Sequence, residues 1–349
     1  MNLKEIARAA GVSQSTVTMV LHDRRGVSQA TRECVQALLE ENGYSVKKAD
    51  NSSQDPADAE KIVFIKFKRF SFMVDGNAEY INLLFDEVES CCNRAGYEIA
   101  FRIATPETLP DIFEKVNTGP FKGIILLGTE FSDEDRPLLN RVKKPIIIID
   151  NDLTKLSVTS VSNHTWNSMR TKVTYLLGRG HRQIGYIRNA QPTSICTQCY
   201  LGFLNAMEQY HLEVQEKYVY DVDPSIEGAY GCMKELLRKG IELPSALVSN
   251  SDIIAIGAMK AFREYGIRVP ENVSIVGADN IMSSMVCVPQ LTTCEVYAKD
   301  IGKWAVKLLC DQIENPASPV IRLRIDTTIV ERDSVCDYAD HIPYQKEKG

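Results

Sequence analysis

The sequence predicts an α/β protein with a helical N-terminal head and a larger body of two lobes, each built on a doubly wound parallel sheet. Three observations support this prediction. Residues 1–45 carry three short helical patterns separated by glycines. Residues 46–60 are polar, rich in Ser and Asp and interrupted by proline, which is typical of a linker. Through residues 61–337, β-branched runs alternate with amphipathic stretches, as strands and helices do in α/β folds.

The composition is that of a soluble globular protein. Of the 349 residues, 44% are hydrophobic and 25% are charged. The longest apolar runs, such as residues 145–149, are too short to cross a bilayer. The first twelve residues are charged and amphipathic and do not resemble a signal peptide. We therefore expect a cytoplasmic protein with no membrane partner.

The net charge of −6 is unevenly distributed along the chain. Residues 1–48 contain seven Lys or Arg and five Asp or Glu, so this part carries +2 and the remainder −8. A mildly basic head on an acidic body is typical of a protein in which only the head contacts nucleic-acid phosphates.

The ten cysteines are scattered and do not predict a disulfide framework. The pair Cys196 and Cys199 forms a CxxC motif, but no second pair or histidine follows at zinc-binding spacing. We interpret these two as small, partly buried residues, with a metal or redox role as the alternative. No metal and no cofactor is expected.

The head has the pattern of three helices joined by short turns. Residues 3–10 are apolar at i, i+3, i+4 and i+7, and Gly11 ends this first helix. Ser13 is suited to cap a second helix, Ser28 to cap a third, and Gly43 ends the third. The inward stripe of the second helix is Val17, Val20 and Leu21.

Two short helices with a glycine-containing turn, followed by a third, form a helix-turn-helix arrangement. In such a unit the second helix enters the major groove, with its N-terminal side chains at the base edges. Here those side chains are small and polar, and they can hydrogen-bond to bases or phosphates. The alternative is a three-helix interaction domain without a DNA role.

Residues 2–22 (NLKEIARAAGVSQSTVTMVLH), 27–32 (VSQATR) and 41–44 (ENGY) resemble the head of the LacI/GalR family of bacterial regulators. The resemblance implies base-reading positions at Gln14, Ser15 and Met19. It implies contacts with the DNA backbone, or support of the reading helix, at Ser13, Thr16, Thr18, His22, Ser28 and Thr31. Met19 stands where the family usually has a long basic residue, so we expect a different base preference there.

The linker departs from the family. Typical members have an Ala-Arg-x-Leu segment that folds as a hinge helix and inserts leucine into the minor groove. Residues 46–60 lack that leucine and arginine, and Pro56 disfavours a helix. We therefore expect an absent or altered hinge helix.

The body resembles the family's sensor domain at residues 176–187, 251–257, 266–279 and 291–293. This implies a two-lobed fold of the periplasmic-binding-protein type, with chain crossings near residues 162, 290 and 320. The expected lobe 1 is residues 61–161 and 292–319, the expected lobe 2 is residues 162–291 and 320–337, and residues 338–349 form a tail.

The same resemblance suggests effector-binding residues. Asp279 and Asp252 are candidate acceptors for sugar hydroxyls, Asn163 is a candidate amide, and Trp166 and Tyr80 are candidate stacking surfaces. The alternatives are a helix N-terminal charge for Asp252 and simple packing for the aromatic residues. Cys199 replaces a usual arginine, and Ser162 replaces a usual aspartate, so the pocket has lost polar groups.

An enzyme is disfavoured by the sequence. No Gly-x-Gly-x-x-Gly follows a strand, and no phosphate-binding Gly-rich loop with Lys-Ser/Thr is present. Asp150 and Asp279 end predicted strands and could be catalytic, but no nucleophile lies on a recognisable elbow.

Together, these features predict a homodimeric repressor that binds double-stranded, pseudo-palindromic operator DNA and is modulated by a small molecule, expected to be a sugar. The alternative is a small-molecule-binding protein with a weakened head.

Overall fold

The computed structural model describes residues 3–21, 27–42, 44, 60–70, 72–151 and 157–344. These residues belong to two compact units, one within residues 1–59 and one within residues 60–349. We call them the head and the body. The linker predicted for residues 46–60 lies outside the described residues except for Glu60, and so does His22.

The head contains three helices: α1 (Leu3–Ala9), α2 (Gln14–Leu21) and α3 (Gln29–Glu41). Gly11 has a φ of 67°, a left-handed conformation that glycine adopts at low cost, and it separates α1 from α2. The helical spacing of the apolar residues directs them into one small core. Its fully buried members are Ile6, Val17, Val20, Val35 and Leu39.

Lobe 1 of the body begins with an alternation of strands and helices. The elements in chain order are β1 (Lys61–Phe67), α4 (Phe72–Gly76), α5 (Ala78–Arg94), β2 (Glu98–Ala104), α6 (Leu109–Thr118), β3 (Phe121–Leu127), α7 (Arg136–Leu139), β4 (Ile146–Ile149) and β5 (Thr159–Asn163). The central strands β1, β3 and β4 are nearly continuous apolar runs, as expected where helices cover both faces of a sheet.

Lobe 2 repeats this alternation. Its elements are α8 (Thr165–Gly178), β6 (Ile184–Asn189), α9 (Ser194–Gln209), β7 (Val219–Val222), α10 (Ile226–Arg238), β8 (Ala246–Ser249), α11 (Asp252–Glu264), β9 (Ser274–Val276), α12 (Met282–Val286) and β10 (Thr293–Glu295). The chain then forms α13 (Ala298–Glu314), β11 (Arg322–Ile325) and β12 (Thr328–Val330).

Both main sheets are parallel, and in each of them the strand order reverses at one point in the sheet. In lobe 1 the strand order is β11-β5-β4-β3-β1-β2, and in lobe 2 it is β7-β6-β8-β9. In such sheets, ligands bind beyond the carboxyl ends of the strands, at the point where the strand order reverses. The topology therefore predicts a ligand site near the carboxyl ends of β1 and β3 in lobe 1 and of β6 and β8 in lobe 2.

Two expected lobe crossings are displaced in the structure. β10 pairs with β12 beside the lobe 2 sheet, so the second crossing follows residue 295 and not residue 290. β11 pairs in parallel with β5, so residues 322–325 belong to lobe 1 and not to lobe 2. Strand pairing fixes the position of the second crossing and the lobe to which residues 322–325 belong. The sequence of a short β-branched run does not reveal which sheet the run joins. The first crossing, between β5 and α8, lies close to its expected position.

The C-terminal segment is also different from a free tail. The amide of Ile342 donates to the Glu271 carbonyl at 2.7 Å, and Asn272 Nδ2 donates to the Ile342 carbonyl at 2.8 Å. The amide of Tyr338 donates to the Arg179 carbonyl at 2.8 Å. Residues 338–344 therefore pack against lobe 2.

Across the described residues, no helix combines the length and the apolar content needed to cross a membrane.

We predict that Gly257→Ala destabilises the body by ~1–3 kcal/mol, because extra atoms in a packed contact force the neighbours apart. A Cβ at Gly257 in α11 would lie 2.5 Å from the Ile226 carbonyl oxygen of α10. Gly231→Ala is the matched control, since a Cβ at this helical glycine meets nothing within 4 Å. Urea denaturation of both variants tests the prediction, and equal midpoints would contradict it.

Candidate functional site

A cavity of about 90 Å³ lies between the two lobes of the body. Its polar walls come from residues at or just beyond strand ends, as the topology predicts. These residues are Thr129, Asp150 and Asn163 in lobe 1 and Asn189, Asn250 and Asp279 in lobe 2. The two sheets thus converge on one site.

Asp150 is the buried carboxylate of the lobe 1 wall, and it directly follows β4. Tyr80 Oη donates to Asp150 Oδ1 at 2.9 Å, and Thr129 Oγ1 donates to Asp150 Oδ2 at 2.5 Å. Burial raises the pKa of Asp150 to about 6, although the hydrogen bonds from Thr129 and Tyr80 act in the opposite direction. Tyr80 lines the cavity but is bound through its hydroxyl to this carboxylate.

Asp279 is the carboxylate of the lobe 2 wall. Asn77 Nδ2 donates to Asp279 Oδ2 at 2.8 Å, and this contact links lobe 1 to lobe 2. Burial raises the pKa of Asp279 well above its usual range, and the negative charges of Asp252 and Asp150 raise it further. Asp279 and Asn280 have φ values of 103° and 51°, which non-glycine residues rarely adopt. Such conformations persist where the surrounding fold enforces them, commonly at ligand sites.

Asp252 does not line the cavity. It is the first residue of α11 and is fully buried. Thr293 Oγ1 donates to its Oδ1 at 2.5 Å, and the amide of Ile281 donates to its Oδ2 at 3.1 Å. The carboxylate therefore anchors the β9–α12 connection that carries Asp279.

Trp166 also lies outside the cavity. It is 41% exposed and lines a neighbouring groove with Gln198, Leu201 and Arg324. Asn163 lines both the cavity and this groove, and its Oδ1 accepts a hydrogen bond from Thr165 Oγ1 at 3.0 Å. Trp166 therefore lies beside the cavity and not in its lining, which the spacing of aromatic residues does not reveal.

Cys196 and Cys199 both line the cavity from α9. Burial raises the pKa of Cys196 to about 11 and that of Cys199 to about 12, so both are thiols at neutral pH. Among the described residues, no cluster of three or more His, Cys, Asp or Glu could hold a metal ion. The wall where the family usually has a guanidinium is therefore weakly polar.

Sequence reasoning missed Asn77, Thr129, Asn189 and Asn250 as cavity residues, and it considered Asp150 only as a catalytic candidate. Asn250 Oδ1 accepts hydrogen bonds from Tyr186 Oη and from the Asn189 amide, both at 2.8 Å. Polar residues directly after buried strands were the available signal, because parallel strands place their carboxyl ends on one edge. No comparable signal marks Asn77, which precedes α5.

In the head, serine and threonine residues cap the helices. Ser13 Oγ accepts from the Thr16 amide at 3.1 Å, and Ser28 Oγ accepts from the Thr31 amide at 3.3 Å. Gln14 and Thr18 are exposed on α2, and Met19 is half-buried. Gln14, with Thr18 one turn later, thus lies on the exposed face of α2. The side chain of Ser15 lies outside the described part of the head.

Comparison with known proteins matches each unit to a family. The model of the lacI family of bacterial regulatory proteins matches residues 2–46, and the model of the periplasmic binding protein-like domain matches residues 173–335.

Curated relatives match nearly the whole chain. The HTH-type transcriptional repressor PurR of Klebsiella pneumoniae is 27% identical over 340 residues, covering 96% of this chain and 97% of the relative. PurR of Haemophilus influenzae is 29% identical over 341 residues, covering 95% and 98%.

Solved structures show the same fold. The transcriptional regulator CelR in complex with cellobiose gives a TM-score of 0.70 at 22% identity, covering 96% of this chain and 99% of that one. The Lac repressor dimer bound to operator and the anti-inducer ONPF gives a TM-score of 0.71 at 21% identity, with the same coverage.

We predict that Asp150→Asn stabilises the protein at pH 8 but not at pH 4. The folded-state pKa of about 6 lies above the usual 3.8, so ionisation disfavours the folded state as pH rises from 3.8 to 6. The penalty is at most about 3 kcal/mol and is complete above pH 6. Thermal melts across pH test this, with the exposed Asp86→Asn in α5 as control. A pH-independent difference would contradict it.

Proposed function

This chain belongs to the lacI family of bacterial regulatory proteins and is a DNA-binding transcriptional regulator, and we propose that it acts as an effector-controlled repressor. Operator DNA binds to the head, and a small molecule binds in the cavity of the body. The observation that carries the proposal is the capped three-helix head, which matches the family over residues 2–46. Since operator DNA is in the bacterial cytoplasm, we place the protein there.

The DNA-reading surface in this proposal is the outer face of α2. Gln14 lies at its N-terminal end, where side chains reach base edges in helix-turn-helix proteins. Met19 lies further along α2, where a thioether can contact a thymine methyl but cannot make a bidentate contact with guanine. The hydroxyls of Ser13, Thr16, Ser28 and Thr31 are near the starts of α2 and α3, where amides and hydroxyls favour phosphate. Thr18 lies in the middle of α2, and its hydroxyl donates to the Gln14 carbonyl at 3.0 Å, so its proposed role is to support the reading helix. His22 and Ser15 stay predictions from resemblance.

A homodimer is the second part of the proposal. Exposed apolar side chains occur on the edge strand β2 and on the neighbouring helix α5, namely Phe101, Ile103 and Leu83. A second group surrounds α12, namely Met282, Met285, Val286 and Val288. Soluble proteins rarely leave such groups uncovered, and twofold pairing of two heads suits a pseudo-palindromic operator.

The effector is a small molecule held between Asp150 and Asp279. Solved structures with this fold include a regulator with cellobiose bound, so a sugar remains the expected class. Asp279, Asn163 and Tyr80 keep their proposed roles in the cavity, and Cys199 forms a weakly polar wall. Asp252 acts through the position of Asp279, and Trp166 is removed from the proposed binding set.

Two alternatives have different support. An enzyme is disfavoured because the matched curated relatives are repressors. A ligand-binding protein with a weakened head is favoured only by Met19 and by the sequence of residues 46–60. Selection of binding sites from random DNA separates the proposed repressor from the ligand-binding protein with a weakened head. Enrichment of an inverted repeat supports the repressor, and salt-sensitive binding without sequence enrichment supports the weakened head.

We predict that Gln14→Ala weakens binding to the selected operator by ~1–3 kcal/mol and relaxes one base position in each half-site, as loss of a base contact does. Gln36→Ala, on α3, is the matched control and should bind like the wild type. Fluorescence anisotropy with single-base variants of the operator provides the measurement. An unchanged affinity and motif would remove Gln14 from the reading surface.

We also predict that Ile103→Glu weakens dimerisation. Ile103 on β2 is 53% exposed, and a charge there would be buried without a partner in the proposed interface. Ile342→Glu is the control, because Ile342 is 52% exposed but lies on the C-terminal segment. Sedimentation velocity should show a monomer only for Ile103→Glu. A dimer in both variants would place the interface elsewhere.

A further inference from the structure

The cavity between the lobes has an unusual balance of charge. Asp150 and Asp279 line it from opposite lobes, and among the described residues no lysine or arginine joins them. Lys172 is a buried cation that acts on Asp279 but does not line the cavity, and its Nζ donates to the Ser249 carbonyl at 2.7 Å. Buried carboxylates need a positive partner or must take up a proton. A positively charged ligand group between Asp150 and Asp279 would allow both carboxylates to ionise.

The hydrogen-bonding groups show the same imbalance. The lobe 1 hydroxyls of Tyr80 and Thr129 already donate to Asp150. Asn77 uses its Nδ2 on Asp279, while its Oδ1 is buried and has no hydrogen-bond partner among the described residues. A buried acceptor without a donor is costly, so a ligand that donates there gains free energy. Beside Asp150 and Asp279, the cavity thus presents a buried acceptor that favours a ligand able to donate there.

We propose that the effector carries a protonated nitrogen, an ammonium or amidinium group, that binds between Asp150 of lobe 1 and Asp279 of lobe 2. This inference rests on the proposed function, since it specifies the ligand of the same cavity. The nitrogen donates to Asp279, to Asn77 Oδ1 and to the free lone pairs of Asp150. Hydroxyl groups elsewhere on the ligand are compatible with the site, and an amino sugar is one such molecule.

The position of the two carboxylates connects ligand charge to lobe closure. Each belongs to a different lobe, and the charge of Asp150 raises the pKa of Asp279, so ionising both carboxylates with no cation between them disfavours close approach of the lobes. A cation between them reverses this interaction and favours the closed arrangement. A ligand with a phosphate or carboxylate at this point would meet two carboxylates and no lining cation, so the cavity discriminates against anions.

Matched ligands that differ mainly in charge test the proposal. One set is ethanolamine, ethylene glycol and glycolate, and a larger set is D-glucosamine, D-glucose and D-glucuronate. Thermal-shift titrations at millimolar concentration should show stabilisation by the amine of at least one set, beyond its neutral and anionic members. Equal or greater stabilisation by the neutral or anionic member overturns the proposal. Stabilisation by neither amine also overturns it.

Variants locate the effect. Asp279→Asn should weaken binding of the stabilising amine about tenfold or more, since one charge-assisted bond is lost. Asp150→Asn is a second variant in case the first does not fold, and Asp86→Asn is the control. Undiminished amine binding in a folded cavity variant overturns the assignment.

The pH dependence gives a further readout. Amine affinity should increase from pH 5 to pH 8, because the carboxylates must ionise to pair with the cation. The titratable groups facing Asp279 and Asp150 are Asp252, Lys172 and Tyr80, and Cys199 lies at the same cavity. Affinity that is independent of pH in this range contradicts the proposal.

Operator binding by the wild-type protein, measured in the same preparation, separates the two proposals. Specific DNA binding without amine selectivity overturns only the cation assignment. Absence of specific DNA binding overturns the proposed repressor function, whatever the ligand class.

Discussion

The interaction on which the site depends is that between Asp150 and Asp279 across the cleft. Each carboxylate ends or follows a buried strand, and each has a left-handed backbone. Their burial is unfavourable in isolation, so the fold surrounds them with donors: Tyr80 and Thr129 for Asp150, and Asn77 for Asp279. The fold accepts this cost in a cavity that residues of both lobes line.

The surrounding structure supports that arrangement. Asp252 accepts from the Ile281 amide and from Thr293, and so holds the connection that carries Asp279. Asn250, held by hydrogen bonds from Tyr186 and from the Asn189 amide, also lines the cavity from lobe 2. Three chain crossings, after β5, β10 and β11, join the lobes beside the cavity. A change in charge between the lobes can therefore alter their separation without unfolding either sheet.

In the head, the residues that stabilise the helices lie next to the residues proposed to contact DNA. Its core is small, and its helices begin at Ser13 and Ser28, whose hydroxyls satisfy backbone amides within the first turn. The capping residues lie beside the exposed Gln14 and Thr18, so residues needed for folding and residues suited to DNA contact share the same helix ends. This explains why a short sequence segment is so informative about function.

The sequence by itself determined the features that depend on local spacing. Helical periodicity, capping serines and β-branched runs were enough to predict α2, the head core, the alternating strands and the presence of Asp279 at a strand end. Tertiary structure alone decided which lobe residues 322–325 join, why Asp252 is an anchor while Asp150 lines the cavity, and that Trp166 lines a neighbouring groove and not the cavity. The reason is that backbone propensity acts over a few neighbouring residues. Strand partners, helix rotation and the approach of Asn77 to Asp279, 202 residues apart, arise only when the sheets pack.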